Sequence, residues 1–101
     1  MGGRAEQQGF QALEHTIHVE GPLDGLVARR LETLILGASP GERIRIDLSL
    51  TVEANDFVIA VLAEALNRSR ATVELHGLGP HRLAALARLG VDISALQRAL
   101  H

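Results

Sequence analysis

The 101-residue chain has no cysteine, no lysine, no tryptophan and no tyrosine. Without cysteine there are no disulfides, thiolate zinc sites or cysteine nucleophiles. All ten basic residues are arginine, which we read as the base composition of a GC-rich genome rather than as function. The aromatics are Phe10 and Phe57 alone, too few for a surface that stacks bases or sugars. No apolar run approaches the ~18 residues of a membrane span. The net charge is −2 and the pI is near 6.2, so the basic face of a nucleic-acid binder is not expected. Residues 1–8 hold no apolar h-region, and Glu6 stands where the myristoylation pattern needs Ser or Thr. These absences together predict a cytoplasmic protein with no direct membrane insertion and no nucleic-acid partner.

With 47% hydrophobic and 22% charged residues, the composition is that of a single small globular domain. The polar, Gly-containing residues 1–8 read as a flexible N-terminus and residues 9–101 as the domain. Residues 10–15 are a candidate first strand, and 16–20 alternate as a clear one, ended by Gly21-Pro22. Asp24 caps a helix in which Leu23, Leu26, Val27, Leu31, Leu34 and Ile35 recur at helical spacing up to Gly37. After the Pro40-Gly41 turn, residues 43–48 alternate as a second strand, and residues 49–54 read as a loop. Asn55 caps a helix over about residues 56–68 that is apolar nearly all round, so it is either central in the core or covered by a partner. Residues 72–76 form the next strand, Pro80 opens a helix that Gly90 ends, and Ser94 with Gln97 fits a capping box for a last short helix.

Strands alternating with helices imply an α/β fold with right-handed crossovers. Each strand is apolar on one side only: Ile17/Val19, Ile44/Ile46/Leu48 and Val73/Leu75 oppose Thr16/His18/Glu20, Arg43/Arg45/Asp47 and Thr72/Glu74/His76. A sheet covered on both faces would show continuous apolar runs. The pattern therefore predicts helices on one face and a polar opposite face.

Few residues carry recognisable chemistry. Gly77-Leu78-Gly79 lacks the rest of a dinucleotide fingerprint. His15, His18, His76, His81 and His101 match no ligand spacing; His18 and His76 with Glu20 and Glu74 are better read as members of a wet sheet face than as zinc ligands. The charges Arg43, Arg45, Asp47, Glu20 and Glu74 fit cross-strand pairs on that face. Ser39, Ser49, Thr51, Ser69 and Ser94 have no His–acid partner nearby in sequence. The residues point to no catalytic group, no metal and no cofactor.

Several stretches resemble the STAS domain, the family of sulfate transporters and anti-sigma-factor antagonists. Arg45-Ile46-Asp47-Leu48-Ser49 is similar to the family strand ending in Asp-Leu-Ser, and Val19-Glu20-Gly21-Pro22-Leu23-Asp24 to its strand ending in Gly-x-Leu-Asp. Residues 72–78 resemble the next strand and loop, residues 83–91 the third helix, and the likeness covers residues 10–100. The resemblance implies a mixed β-sheet with about four helices packed mainly on one face. It also implies a non-enzymatic protein-interaction regulator whose second helix opens on a phosphorylatable serine. Here that motif falls on Asn55, Asp56, Phe57 and Val58, which carry no hydroxyl.

Three readings follow at that place. Asp56 is a fixed mimic of the phosphorylated state; or the helix start is a degenerate cap whose surface docks constitutively; or Ser49 or Thr51 has taken over as acceptor. Phe57 is either core or, with Val58 and Ile59, an apolar contact patch. The implied partner is an anti-sigma-factor kinase-like protein or a larger signalling assembly. The alternatives are the ATPase subunit of an ABC-type lipid transport complex, on which stand-alone STAS-like chains also serve, and a small molecule or nucleotide sensed in the cleft beside residues 49–56. A homodimer is left open.

Overall fold

A computed structural model of the chain describes residues 14–97. The candidate first strand falls partly outside them: Glu14 and His15 belong to the strand that follows, and residues 10–13, like the N-terminal stretch 1–8 and the end of the chain, lie outside the described residues. The element order is β1 (Glu14–Pro22), α1 (Gly25–Gly37), β2 (Arg43–Val52), α2 (Asp56–Arg68), β3 (Thr72–His76), α3 (Pro80–Arg88) and a five-residue helical segment, α4 (Ile93–Gln97). The fold is thus α/β, with three helices of nine residues or more among the described residues rather than four full ones.

The described strands form one sheet in the order β1-β2-β3, and both pairings are parallel. Among the described residues the sheet is therefore parallel, not mixed. Parallel pairing follows from the crossovers: α1 and α2 each return the chain from the C-terminal end of one strand to the N-terminal end of the next. Both crossovers step the same way across the sheet, so right-handedness puts α1 and α2 on the same face. They run parallel to each other and pack together.

Capping fixes where the helices start. Asp24 accepts from the Val27 N–H at 3.0 Å, and Asn55 Oδ1 accepts from the Val58 N–H at 2.9 Å. Pro80 stands in the first turn of α3 behind Gly79, which offers no side-chain cap. At α4 the Ser94 N–H donates to Asp92 Oδ1 at 3.1 Å, so the acceptor at that start is Asp92 and not Ser94.

The core lies between the sheet and the helices. Ile44, Ile46 and Leu48 of β2 with Val73 and Leu75 of β3 face Leu31 and Ile35 of α1, Val58, Leu62 and Ala65 of α2, and Leu86 of α3. Helix α2 is the central element, with six buried residues. Its apolar girth is thus explained by α1, α3 and the sheet, and its one exposed stripe is Asp56, Phe57, Ala60, Glu64, Asn67 and Arg68. Each fully buried Leu or Ile removes from water an area worth about 1.5–3 kcal/mol.

The opposite face of the sheet is largely polar, as the alternation predicts. Arg45 Nε donates to Glu74 Oε1 at 3.1 Å, and His18 Nδ1 lies 3.3 Å from Asp47 Oδ2. Glu74 is only 6% exposed, because the segment carrying Val91, Asp92 and Leu96 comes round the β3 edge beside it.

Candidate functional site

Strand β2 runs four residues past its predicted end at Leu48, and a bulge decides what those residues do. Up to Ile17↔Ile46 and His18↔Asp47 the register with β1 is regular; the next pair is Glu20↔Leu50. While β1 advances from 18 to 20, β2 advances from 47 to 50, so β2 carries one extra residue. An extra residue reverses the side-chain alternation. Ile44, Ile46 and Leu48 point into the core, but Leu50 and Val52 emerge on the other face, 64% and 56% exposed. Sequence reasoning missed these two, since alternation alone would have carried them inward.

The bulge is held by local polar groups. Asp47 Oδ1 accepts from both the Ser49 N–H, at 2.9 Å, and the Ser49 hydroxyl, at 2.6 Å. Those bonds, hydroxyl first and backbone N–H second, together with His18 hold the Asp47 carboxyl below the usual aspartate range. Gly77, at φ +84°, closes over the same spot: a Cβ there would come within 2.7 Å of Ser49 Cβ. The next turn of chain is also tethered. The Leu23 N–H donates to the Glu53 carbonyl at 3.1 Å, and Glu53 is held at φ +45°, a left-handed conformation that costs a non-glycine residue about 1–2 kcal/mol.

The residues aligned with the family phospho-site then open α2. Asn55 is exposed and is the cap; Asp56 is exposed at the first helical position, with no side-chain partner among the described residues; Val58 is fully buried. Phe57 is 53% exposed and is not core. Its ring lies across the first turn of α1, where a Cβ on Gly25 would sit 3.4 Å from Phe57 Cε2 and the Arg29 guanidinium carbon lies 5.5 Å from the ring centroid. The apolar patch imagined for Phe57, Val58 and Ile59 is therefore Phe57 alone on α2, because Val58 and Ile59 turn inward. Its apolar neighbour on α1 is Leu26, 64% exposed.

The two substitute hydroxyls are both engaged. Thr51 is half-buried and donates to the Leu48 carbonyl at 2.6 Å. Ser49 is exposed but donates to Asp47, a carboxylate that would repel a phosphate placed beside it. The cleft beside this loop has a volume of about 440 Å³; Asp24, Glu53 and Arg82 lie on its walls, and Asp24 is already in use as a cap.

Six large apolar side chains are exposed among the described residues, and four of them, Leu26, Leu50, Val52 and Phe57, lie at the end of the molecule where the strands terminate and α1 and α2 begin. Leu26 and Phe57 lie on its helical side and Leu50 and Val52 on the opposite sheet face, and exposed apolar residues gathered at one end mark an interaction site more than scattered ones do. No described helix is long and apolar enough to cross a membrane. No curated protein and no solved structure gives a significant match to the chain. The family model described as "Mlab, STAS domain" matches residues 7–98, and with nearly its whole length so covered the chain belongs to the STAS domain family.

Proposed function

We propose that this STAS domain is a non-enzymatic protein-docking module that engages its partner through the strand-end surface formed by Leu26, Leu50, Val52 and Phe57. The observation that carries this reading is Phe57 itself. An aromatic ring left half exposed, at the end of the molecule that also exposes Leu26, Leu50 and Val52, gains roughly 1.5–3 kcal/mol when a partner buries it. Asn55 and Asp56 set the polar border of the surface, and Val58 anchors the helix beneath it. With no hydroxyl at positions 55–58, and with Thr51 and Ser49 both donating within the chain, docking is constitutive rather than switched by phosphorylation. Asp56 supplies one fixed negative charge at the helix start, where a phosphate would carry about −1.5 to −2.

In the first reading the partner is an anti-sigma-factor kinase-like protein or a signalling assembly in the cytoplasm. The loss of the switch favours a second reading equally well served by a permanent contact: a small subunit seated on the ATPase of an ABC-type lipid transport complex. Purification of the native protein from its own cell tests both. Phe57→Ala or Leu50→Asp is expected to remove the co-eluting partner, and Leu89→Asp, at the far end, to leave it. The co-eluting protein is a soluble kinase-like chain in the first reading and an ATPase with membrane subunits in the second. A partner retained by Phe57→Ala and Leu50→Asp but lost with Leu89→Asp contradicts the docking surface.

A further inference from the structure

The helical side of this end has a charge arrangement that the docking reading does not use. Phe57 packs across the seam between the first turns of α1 and α2, and Leu26 is exposed on the first turn of α1. On the α2 flank stand Glu53, Asp56 and Glu64, all exposed and none with a side-chain partner among the described residues. On the α1 flank stand Arg29 and Arg30. Arg29 is paired with Glu32 at 3.0 Å and lies over Phe57; Arg30 is exposed with no partner among the described residues. The surface is thus apolar along its middle, with Asp56 and Glu64 on one side and Arg29 and Arg30 on the other, while Glu53 shares a cleft with Arg82.

A uniformly basic or uniformly acidic partner, an anionic lipid surface included, would meet its own sign on one flank. A second copy turned through a two-fold axis over the seam meets the opposite sign on both. In an isologous contact residue i faces j and j faces i. Because α1 and α2 run parallel, a two-fold axis lying between the copies along the helix direction lays each α1 parallel over the other copy's α2. Phe57 packs level with Gly25 and Arg29, so Leu26 of each copy faces Phe57 of the other, and Arg30, one turn further on, lies level with Ala60 between Asp56 and Glu64 of the other.

We propose that this self-complementary surface joins two copies of the chain into a weak, reversible dimer that covers Leu26 and Phe57. The apolar area is small beside the ~1,600 Å² of a standard stable interface, so the dimer is a high-concentration state. It hides part of the docking surface, and partner binding and self-association exclude one another. The inference does not depend on the docking reading, because it concerns the isolated chain.

Sedimentation equilibrium of the purified protein, from micromolar to millimolar and at low and high salt, tests it. The expected result is a monomer–dimer equilibrium that high salt weakens. Phe57→Ala, Arg30→Asp and Asp56→Arg should each weaken it by about tenfold or more, the size expected of a close interfacial charge pair. The double variant Arg30→Asp/Asp56→Arg should restore it to within about threefold. All these positions are exposed, and far-UV circular dichroism verifies the fold of each variant. A chain that stays monomeric throughout overturns the proposal. So does a dimer indifferent to all three substitutions, which would place the contact on another face such as the sheet edge, or single variants that the double variant fails to rescue.

Discussion

The two halves of β2 are made of the same material and meet opposite fates. Ile44, Ile46 and Leu48 alternate with polar residues and are buried; Leu50 and Val52 continue the same alternation and are exposed. Composition does not separate them, nor does spacing. One extra residue opposite β1 does, by reversing which face of the sheet each side chain meets. Helix α2 repeats the lesson within a single step: Phe57 lies out on the surface while Val58, next to it, is fully buried, because successive helical residues differ by about 100° in direction. At this end of the molecule, register and helical phase decide which apolar residues reach the surface.

The sharpest way to break the comparison is to truncate matching residues on either side of the bulge. Ile46→Ala is expected to destabilise by about 2–5 kcal/mol in urea unfolding, as for a fully buried aliphatic side chain. Gly77→Ala attacks the bulge itself. It combines a left-handed backbone position with a clash against Ser49, and its expected cost is about 2–4 kcal/mol, with hydrogen exchange rising around residues 47–52. Leu50→Ala, on the exposed half of the strand, is expected to stay within about 0.5 kcal/mol of the parent. A Leu50→Ala cost equal to that of Ile46→Ala would mean that the alternation runs inward without a bulge.

The smallest expected effect is acid sensitivity. Asp47 is held below its ordinary range by the Ser49 bonds and His18, and Glu42 by the Ser39 N–H and His15. A depressed carboxyl contributes stability above its unfolded value and loses it as pH falls through the folded one. Stability is therefore expected to decline from about pH 4 downward. Asp47→Asn should flatten that decline, measured as urea midpoints over the same acid range. An unchanged acid slope in Asp47→Asn would remove the Ser49–Asp47 bonds from the account of the bulge.

Much of this was legible in the sequence. Asn55 and Asp56 ahead of a dense apolar run placed α2 over residues 56–68, and Asp24 and Pro80 placed the starts of α1 and α3, because caps and proline act through local backbone groups. The one-sided alternation of the strands located the core face. What was not legible depended on distant residues. The bulge rests on Gly77, nearly thirty positions from Ser49, approaching its backbone. The absence of an antiparallel strand among those described, the outward position of Leu50 and Val52, and the placing of Phe57 on the ground cleared by Gly25 are likewise tertiary. At the candidate site, the sequence named positions 55–58 as candidates and Asn55 as the cap, but not which of Phe57 and Val58 turns outward and which is buried.

The central claim is that the start of α2 presents an aromatic outward rather than storing it in the core. Parallel urea unfolding of Phe57→Ala and Val58→Ala tests it most directly. The account predicts a loss of no more than about 1 kcal/mol for Phe57→Ala and about 2 kcal/mol for Val58→Ala. A loss of about 3–5 kcal/mol for Phe57→Ala, the cost of emptying a core aromatic site, would contradict it.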